Sequence, residues 1–295
     1  MSQVQQRPFS REVKQSLRLS MPLMASQFVQ ASSTFVGTII IAHLGHVALA
    51  ASGLVASSWM ALVLLFFGVL NAISILTAQN CGAKRYNDAT QIIVQGFYWG
   101  ILLSIPIMLL LWYEPLLLRF TGQSPAVMIY ATRYVHSLIF AILPVSFLIV
   151  MEQFLIGIGK TRLVLWMSVI QIPFEILANY AFTFGKFGFP KMGIAGVGYG
   201  FALVFTLAAL IIALYLARSR VSEKFPVFKK LRDFNAHHFA EIFKVGWPIG
   251  IMIGAEIGFF AALAFMMGRF GEMALAAHQI ALQYLSLAIT MVFGI

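Results

Sequence analysis

The sequence predicts an all-α, polytopic membrane protein, and three observations carry that prediction. Sixty per cent of the residues are apolar and ten per cent charged, with a mean hydropathy of +0.88, a balance outside that of soluble globular domains. The apolar residues gather into eight runs, each long enough for the roughly twenty helical residues that cross hydrocarbon. Most of the basic residues fall in the segments between the runs and at the start of the chain.

Taken in order, residues 1–18 hold Arg7, Arg11, Lys14 and Arg18 but no apolar core of signal-peptide length, so a retained cytoplasmic leader is expected. The runs then cover 17–42, 49–78, 92–112, 130–156, 163–184, 194–217, 242–268 and 273–295. Short connections rich in glycine, proline and polar residues separate them, such as Leu44-Gly45-His46 and the stretch from Gly185 to Pro190. The one long connection runs from Arg218 to His238. Three units follow: a six-helix lobe with its leader at 1–217, a basic cytoplasmic linker at 218–240, and two further helices at 241–295. Prolines 22, 106, 144, 173 and 248 lie within or near the runs and are expected to bend the helices.

Lysine and arginine set the orientation, because cytoplasmic loops collect them. The side of the leader also receives Lys84, Arg85, Lys160, Arg162, the six basic residues from Arg218 to Arg232, and Lys244, fifteen in all. The opposite side has Arg119, Arg133, Lys186, Lys191 and Arg269. A cytoplasmic N-terminus follows. A net charge of +10 distributed in this way argues for a bilayer and against nucleic acid as partner. The single cysteine, Cys81, excludes a disulfide framework or a cysteine metal site.

Two carboxylates stand at predicted bilayer depth. Glu256 is twelve residues from Lys244 and thirteen from Arg269; Glu175 is thirteen from Arg162 and eleven from Lys186. A charge at mid-bilayer costs roughly 2.5 to 17 kcal/mol depending on reference state, so such a residue faces a polar interior, binds a cation or carries a proton. The competing reading of Glu256 is a neutral acid hydrogen-bonded to a neighbouring helix. Around it, Met252 at i−4, Phe259 at i+3 and Phe260 at i+4 would offer a flat lipophilic cation aromatic faces and a polarizable sulfur, or else face lipid. On the fifth run Gln171, Glu175, Asn179 and Thr183 recur every four residues as one polar stripe. Interhelical hydrogen bonding accounts for the amides and the threonine, and poorly for the carboxylate. Glu152, eight residues before Lys160, is read as a structural ion pair.

Displacing the chain by 226 residues superimposes its start on its end. Pro22 meets Pro248, the Gly45-x-x-Ala48-Leu-Ala-Ala51 segment meets Gly271-x-x-Ala274-Leu-Ala-Ala277, and Phe67-Gly68 meets Phe293-Gly294. Six spans separate the copies, so the repeat is parallel, and the second copy stops after two spans. About four spans are expected to be missing, which makes the chain a fragment or a short form completed by a partner chain.

Gly246-Trp-Pro-Ile-Gly, Glu256 and Ala276-Ala-His-Gln-Ile-Ala281, together with Asn179-Tyr180, the segment from Phe184 to Gly193 and Gly157-Ile-Gly-Lys-Thr-Arg162, resemble the multidrug and toxic compound extrusion (MATE) family, nearest its NorM-like bacterial branch. The resemblance covers nearly the whole chain. It implies two six-helix lobes, here one complete and one cut off after two helices. It also implies a multi-pass protein of the bacterial inner membrane that exports small organic cations by antiport with Na⁺ or H⁺, with no cofactor beyond the coupling ion. The family's second-lobe acid corresponds to Glu256. Its first-helix aspartate corresponds to Gly37, in Phe35-Val36-Gly37-Thr38, so that part of the first-lobe site is lacking. Glu175 is expected to replace it, supported by Asn179, Gln30 and Thr34. The cavity is expected to include Gln30, Thr34, Gln171, Met252, Phe259, Phe260 and Gln279.

The run Gly193-x-x-Gly196-x-Gly198-x-Gly200 follows no strand and suits close helix packing better than phosphate binding. The histidines lack metal-ligand spacing apart from the weak adjacent pair His237-His238, and no nucleophile, base and orienter are visible, so the reading is neither a metalloprotein nor an enzyme. A lipid-linked precursor flippase of similar architecture and an inactive truncated membrane protein are the alternatives.

Overall fold

A computed structural model describes Met21, Ala25 and residues 36–118 and 125–269. In hydrocarbon every backbone polar group must be satisfied within the segment, and these Leu-, Ile-, Val- and Ala-rich runs accordingly form helices, with no strand among the described residues. The helical residues 36–42 (α1) are followed by α2 (His46–Gly82), α3 (Tyr86–Leu118), α4 (Pro125–Gly157), α5 (Thr161–Phe184), α6 (Ile194–Arg218), the short α7 (Val221–Lys224), a 3₁₀ turn at Val227–Lys229 and α8 (Ala236–Arg269). By length and composition α3, α4, α5 and α6 are each able to cross a bilayer. The helices outrun their apolar runs: α3 begins six residues before 92 and α8 six before 242, because polar residues at a membrane surface continue a helix as readily as they leave it. The span 273–295 lies outside the described residues. Prolines 106, 115, 144, 173 and 248 all sit inside helices.

α4 is the centre of the lobe. About half of its residues are buried, and it packs against α2, α3 and α6. The wholly buried side chains Leu70, Ile73, Ile92, Ile142, Phe154 and Leu155 fill the space between these helices. Outward faces carry an apolar belt, with Ile105, Leu109 and Trp112 on α3 and Leu210, Ile211 and Leu214 on α6, the surface that lipid tails would cover. α8 lies against α2. A Cβ on Gly246 would stand 2.5 Å from the Val69 carbonyl oxygen, and one on Gly68 would collide with the backbone of Gly250, so glycine on both helices permits the crossing.

The linker is folded onto the lobe. Gln95 Nε2 donates to the Asp233 carbonyl at 2.9 Å, Tyr98 OH to that of Leu231 at 2.9 Å, and Trp99 Nε1 to that of Phe239 at 2.9 Å. Trp99 also stacks on Phe239, with ring centroids 4.4 Å apart and planes 10° from parallel. α8 begins at Ala236, inside the segment expected to be linker up to residue 240.

One expectation is corrected. Glu152 forms no ion pair with any described residue. Lys160, its expected partner, turns instead to α6, where Nζ donates to the Tyr215 hydroxyl at 2.6 Å and lies 5.2 Å from that ring's centroid. A cation over an aromatic face near the helix end avoids carrying the charge two turns into the lobe.

Candidate functional site

The polar stripe of α5 faces inward. Glu175 is 5 % exposed, Asn179 1 % and Thr183 0 %, with Gln171 half-buried above them, whereas Trp166, Ile170, Phe174 and Leu177 on the opposite face are more than half exposed. Four-residue spacing in the sequence is therefore a single buried face in the fold. Gly185 ends the helix in the left-handed region, at φ 69° and ψ 43°, and its N–H donates to the Ala181 carbonyl.

Three glycines of α6 draw this face against its neighbours. A Cβ on Gly196 would stand 2.5 Å from the Phe182 carbonyl carbon and the Thr183 nitrogen; one on Gly200 would meet Asn179. Gly198, on another face of the helix, touches Ser137 of α4 in the same way. The expectation of close packing through small residues is thus met, and α4, α5 and α6 converge around the acid.

The resulting buried cluster of polar side chains holds a carboxylate, an amide and a hydroxyl. Asn179 Oδ1 and Thr183 Oγ1 are buried without a hydrogen-bond partner among the described residues. Buried acceptors left in this way are costly, and such groups mark places where an ion, a proton or water is handled. Tyr134 of α4, 8 % exposed, lies within electrostatic range of Glu175. Sequence spacing misses Tyr134, because a lone tyrosine in an apolar run carries no period; the signal that could have found it is the glycine series of α6, whose faces bring α4 and α5 together. Glu114, 6 % exposed near the end of α3, is also missed, since a carboxylate beside Pro115 at a span end reads as interfacial.

Met252 and Phe259 are 60 % and 61 % exposed on α8. Glu256 and Phe260 belong to α8 with their side chains outside the described set, and Gln30, Thr34 and Gln279 lie outside the described residues. Gly37 is described: among the described residues a Cβ there would meet nothing within 4 Å. At the linker, His237, His238 and Glu241 place ligand-type atoms within 4.8 Å of one another. His238 Nδ1 is 3.0 Å from Glu241 Oε2 and its Nε2 3.8 Å from Asp88 Oδ1, a bridge from the start of α8 to the start of α3.

The MatE family model matches residues 22–181, more than half of the chain and the part that contains α2 to α4, most of α5 and both Glu175 and Asn179. The chain belongs to the MatE family. Among curated MatE relatives, a "Probable multidrug resistance protein NorM" of Brucella suis is 30% identical over 97% of this chain and 61% of its own length, and a protein of the same description from Pseudomonas aeruginosa is 34% identical over 96% and 58%. This MatE chain thus spans about three fifths of the curated relatives it matches. Two solved structures share the fold. A multidrug resistance MATE family transporter of the MOP superfamily in an outward-facing conformation has a TM-score of 0.82 at 22% identity, covering 95% of this chain and 62% of its own. A MOP superfamily transporter from Pyrococcus furiosus has a TM-score of 0.80 at 23% identity with the same coverages.

Proposed function

We propose that this chain carries the first lobe, and the beginning of the second, of a multidrug exporter that moves cationic amphipathic compounds out of the cell in exchange for Na⁺ or H⁺. The observation that carries the reading is the buried Glu175 with Asn179 and Thr183 on one face of α5, two of whose oxygens lack a partner among the described residues. A carboxylate in a low-dielectric interior is tolerable when a cation or a proton neutralises it. One carboxylate cannot neutralise two cations at full strength, so occupancy by drug and by coupling ion compete, and which one is bound biases the equilibrium between inward- and outward-open states. Glu256 is proposed as the corresponding acid of the second lobe, with Met252, Phe259 and Phe260 as its apolar surround. Among the described residues no lysine or arginine is buried, which favours a cation-binding cavity over the Lys- and Arg-lined, anion-binding cavity expected of a lipid-linked precursor flippase.

The test is equilibrium binding of ethidium to the purified chain with and without Na⁺ at several pH values, followed by ethidium efflux from proteoliposomes under imposed Na⁺ or H⁺ gradients. Bound ethidium is expected to fall as the coupling ion is added, and Glu175→Gln to remove that dependence. Competition that survives unchanged in Glu175→Gln would remove Glu175 from the mechanism.

A further inference from the structure

α3, α4 and α6 leave a groove of about 390 Å³ on the outer surface of the lobe, within the size range of small-molecule sites. Its walls are Ile101 of α3, Pro144 and Phe147 of α4, and Ala209 and Ala213 of α6. Pro144 withholds a backbone donor from α4, and the two alanines, one turn apart, leave the space open. The floor is made by the linker, through Phe228 and Leu231. Two polar atoms on the wall are already engaged, Tyr98 OH with the Leu231 carbonyl and Thr206 Oγ1 with that of Ala202 at 2.6 Å. What the groove offers a ligand is apolar.

The foot of the groove is different. Lys229 and Lys230 stand between the two floor residues, and Arg232 follows. From 218 to 233 the linker carries Arg218, Arg220, Lys224, Lys229, Lys230 and Arg232 against Glu223 and Asp233, an excess of four positive charges. Lys230 donates to the amide oxygen of Asn87 and Lys224 lies over the Tyr86 ring, neutral partners that leave both charges available.

We propose that this groove is a binding site for an anionic phospholipid of the cytoplasmic leaflet, with an acyl chain between α3, α4 and α6 and its phosphate-bearing head on Lys229, Lys230 and Arg232. An apolar slot that ends on lysines complements a long apolar tail joined to a negative head, and a polybasic segment at a membrane surface attracts such lipids. The bound lipid would press Phe228 and Leu231 against the first lobe. Because this segment joins the two lobes, headgroup composition would set how firmly the linker is held.

Native mass spectrometry of the whole chain, released from bilayers holding phosphatidylglycerol and phosphatidylcholine with identical acyl chains, tests the proposal. Phosphatidylglycerol should be retained about tenfold over phosphatidylcholine, with the preference weakening as salt screens the lysines. Lys229→Gln with Lys230→Gln should abolish the preference while thermal unfolding stays unchanged. Ala209→Phe with Ala213→Phe should reduce retention of both lipids. Equal retention of the two lipids by the unaltered chain overturns the proposal, as does a preference that persists after the lysine substitutions; the latter, lying at the surface, decide the matter should the phenylalanine variant fail to fold.

Discussion

Position 37 and position 175 are two halves of one question about a single negative charge. A first-helix aspartate is absent, a carboxylate is present on α5, and among the described residues nothing lies within 4 Å of a Cβ built at Gly37. Glu175→Gln combined with Gly37→Asp is therefore expected to regain the ion-dependent displacement of ethidium that Glu175→Gln alone loses; if the double variant stays ion-insensitive, the charge has to be on α5. The glycines of α6 make a second residue-scale prediction. Gly196→Ala forces a methyl group into the backbone of α5 and should destabilise the fold by about 1–3 kcal/mol, read as a lower thermal midpoint in detergent. Gly82→Ala at the end of α2, where a Cβ meets nothing within 4 Å among the described residues, should leave the midpoint unchanged or raise it. Equal loss in both variants would mean that close approach is not what α6 requires.

Among the elements, the clearest unexpected feature is the docking of the linker on α3. Trp99 both stacks on Phe239 and donates to its carbonyl, and Phe243 stacks on the same indole at 5.4 Å. Trp99→Ala should cost about 3–5 kcal/mol of local packing and hasten tryptic cleavage at Lys229, Lys230 and Arg232. Trp99→Phe, which keeps a stacking ring and loses the donor, should fall between the two; cleavage at the original rate in both variants would show that other contacts hold the linker. The helices themselves were legible in the sequence because hydrocarbon leaves an apolar run few alternatives. The inward face of α5 was legible for a similar reason, since four polar residues at helical spacing cannot all face lipid. Linker docking was not legible, because contacts such as Tyr98 to Leu231 and Trp99 to Phe239 join residues more than 130 positions apart and leave no local period. Nor was the turn of Lys160 toward Tyr215, which depends on where α6 returns to the surface.

For the molecule as a whole, charge asymmetry predicts the direction in which the lobe sits in its membrane. In the described fold Lys84, Arg85, Lys160, Arg162, Lys244 and the basic linker gather at one end of the bundle, while Arg133, Lys186, Lys191 and Arg269 are at the other. Crowding of basic residues at one end is how a polytopic chain is oriented, so the end bearing the linker should be cytoplasmic. That orientation also puts the groove between α3, α4 and α6 in the cytoplasmic leaflet, with its lysines at the inner surface. Cysteine placed singly at Lys229 or at Lys186, in a Cys81→Ser background, reports the arrangement through a maleimide that cannot cross the membrane. The label should reach position 186 in intact cells and position 229 only after lysis. The reverse pattern would invert the lobe, place the basic linker outside, and remove the headgroup site from the leaflet in which the phospholipid proposal puts it.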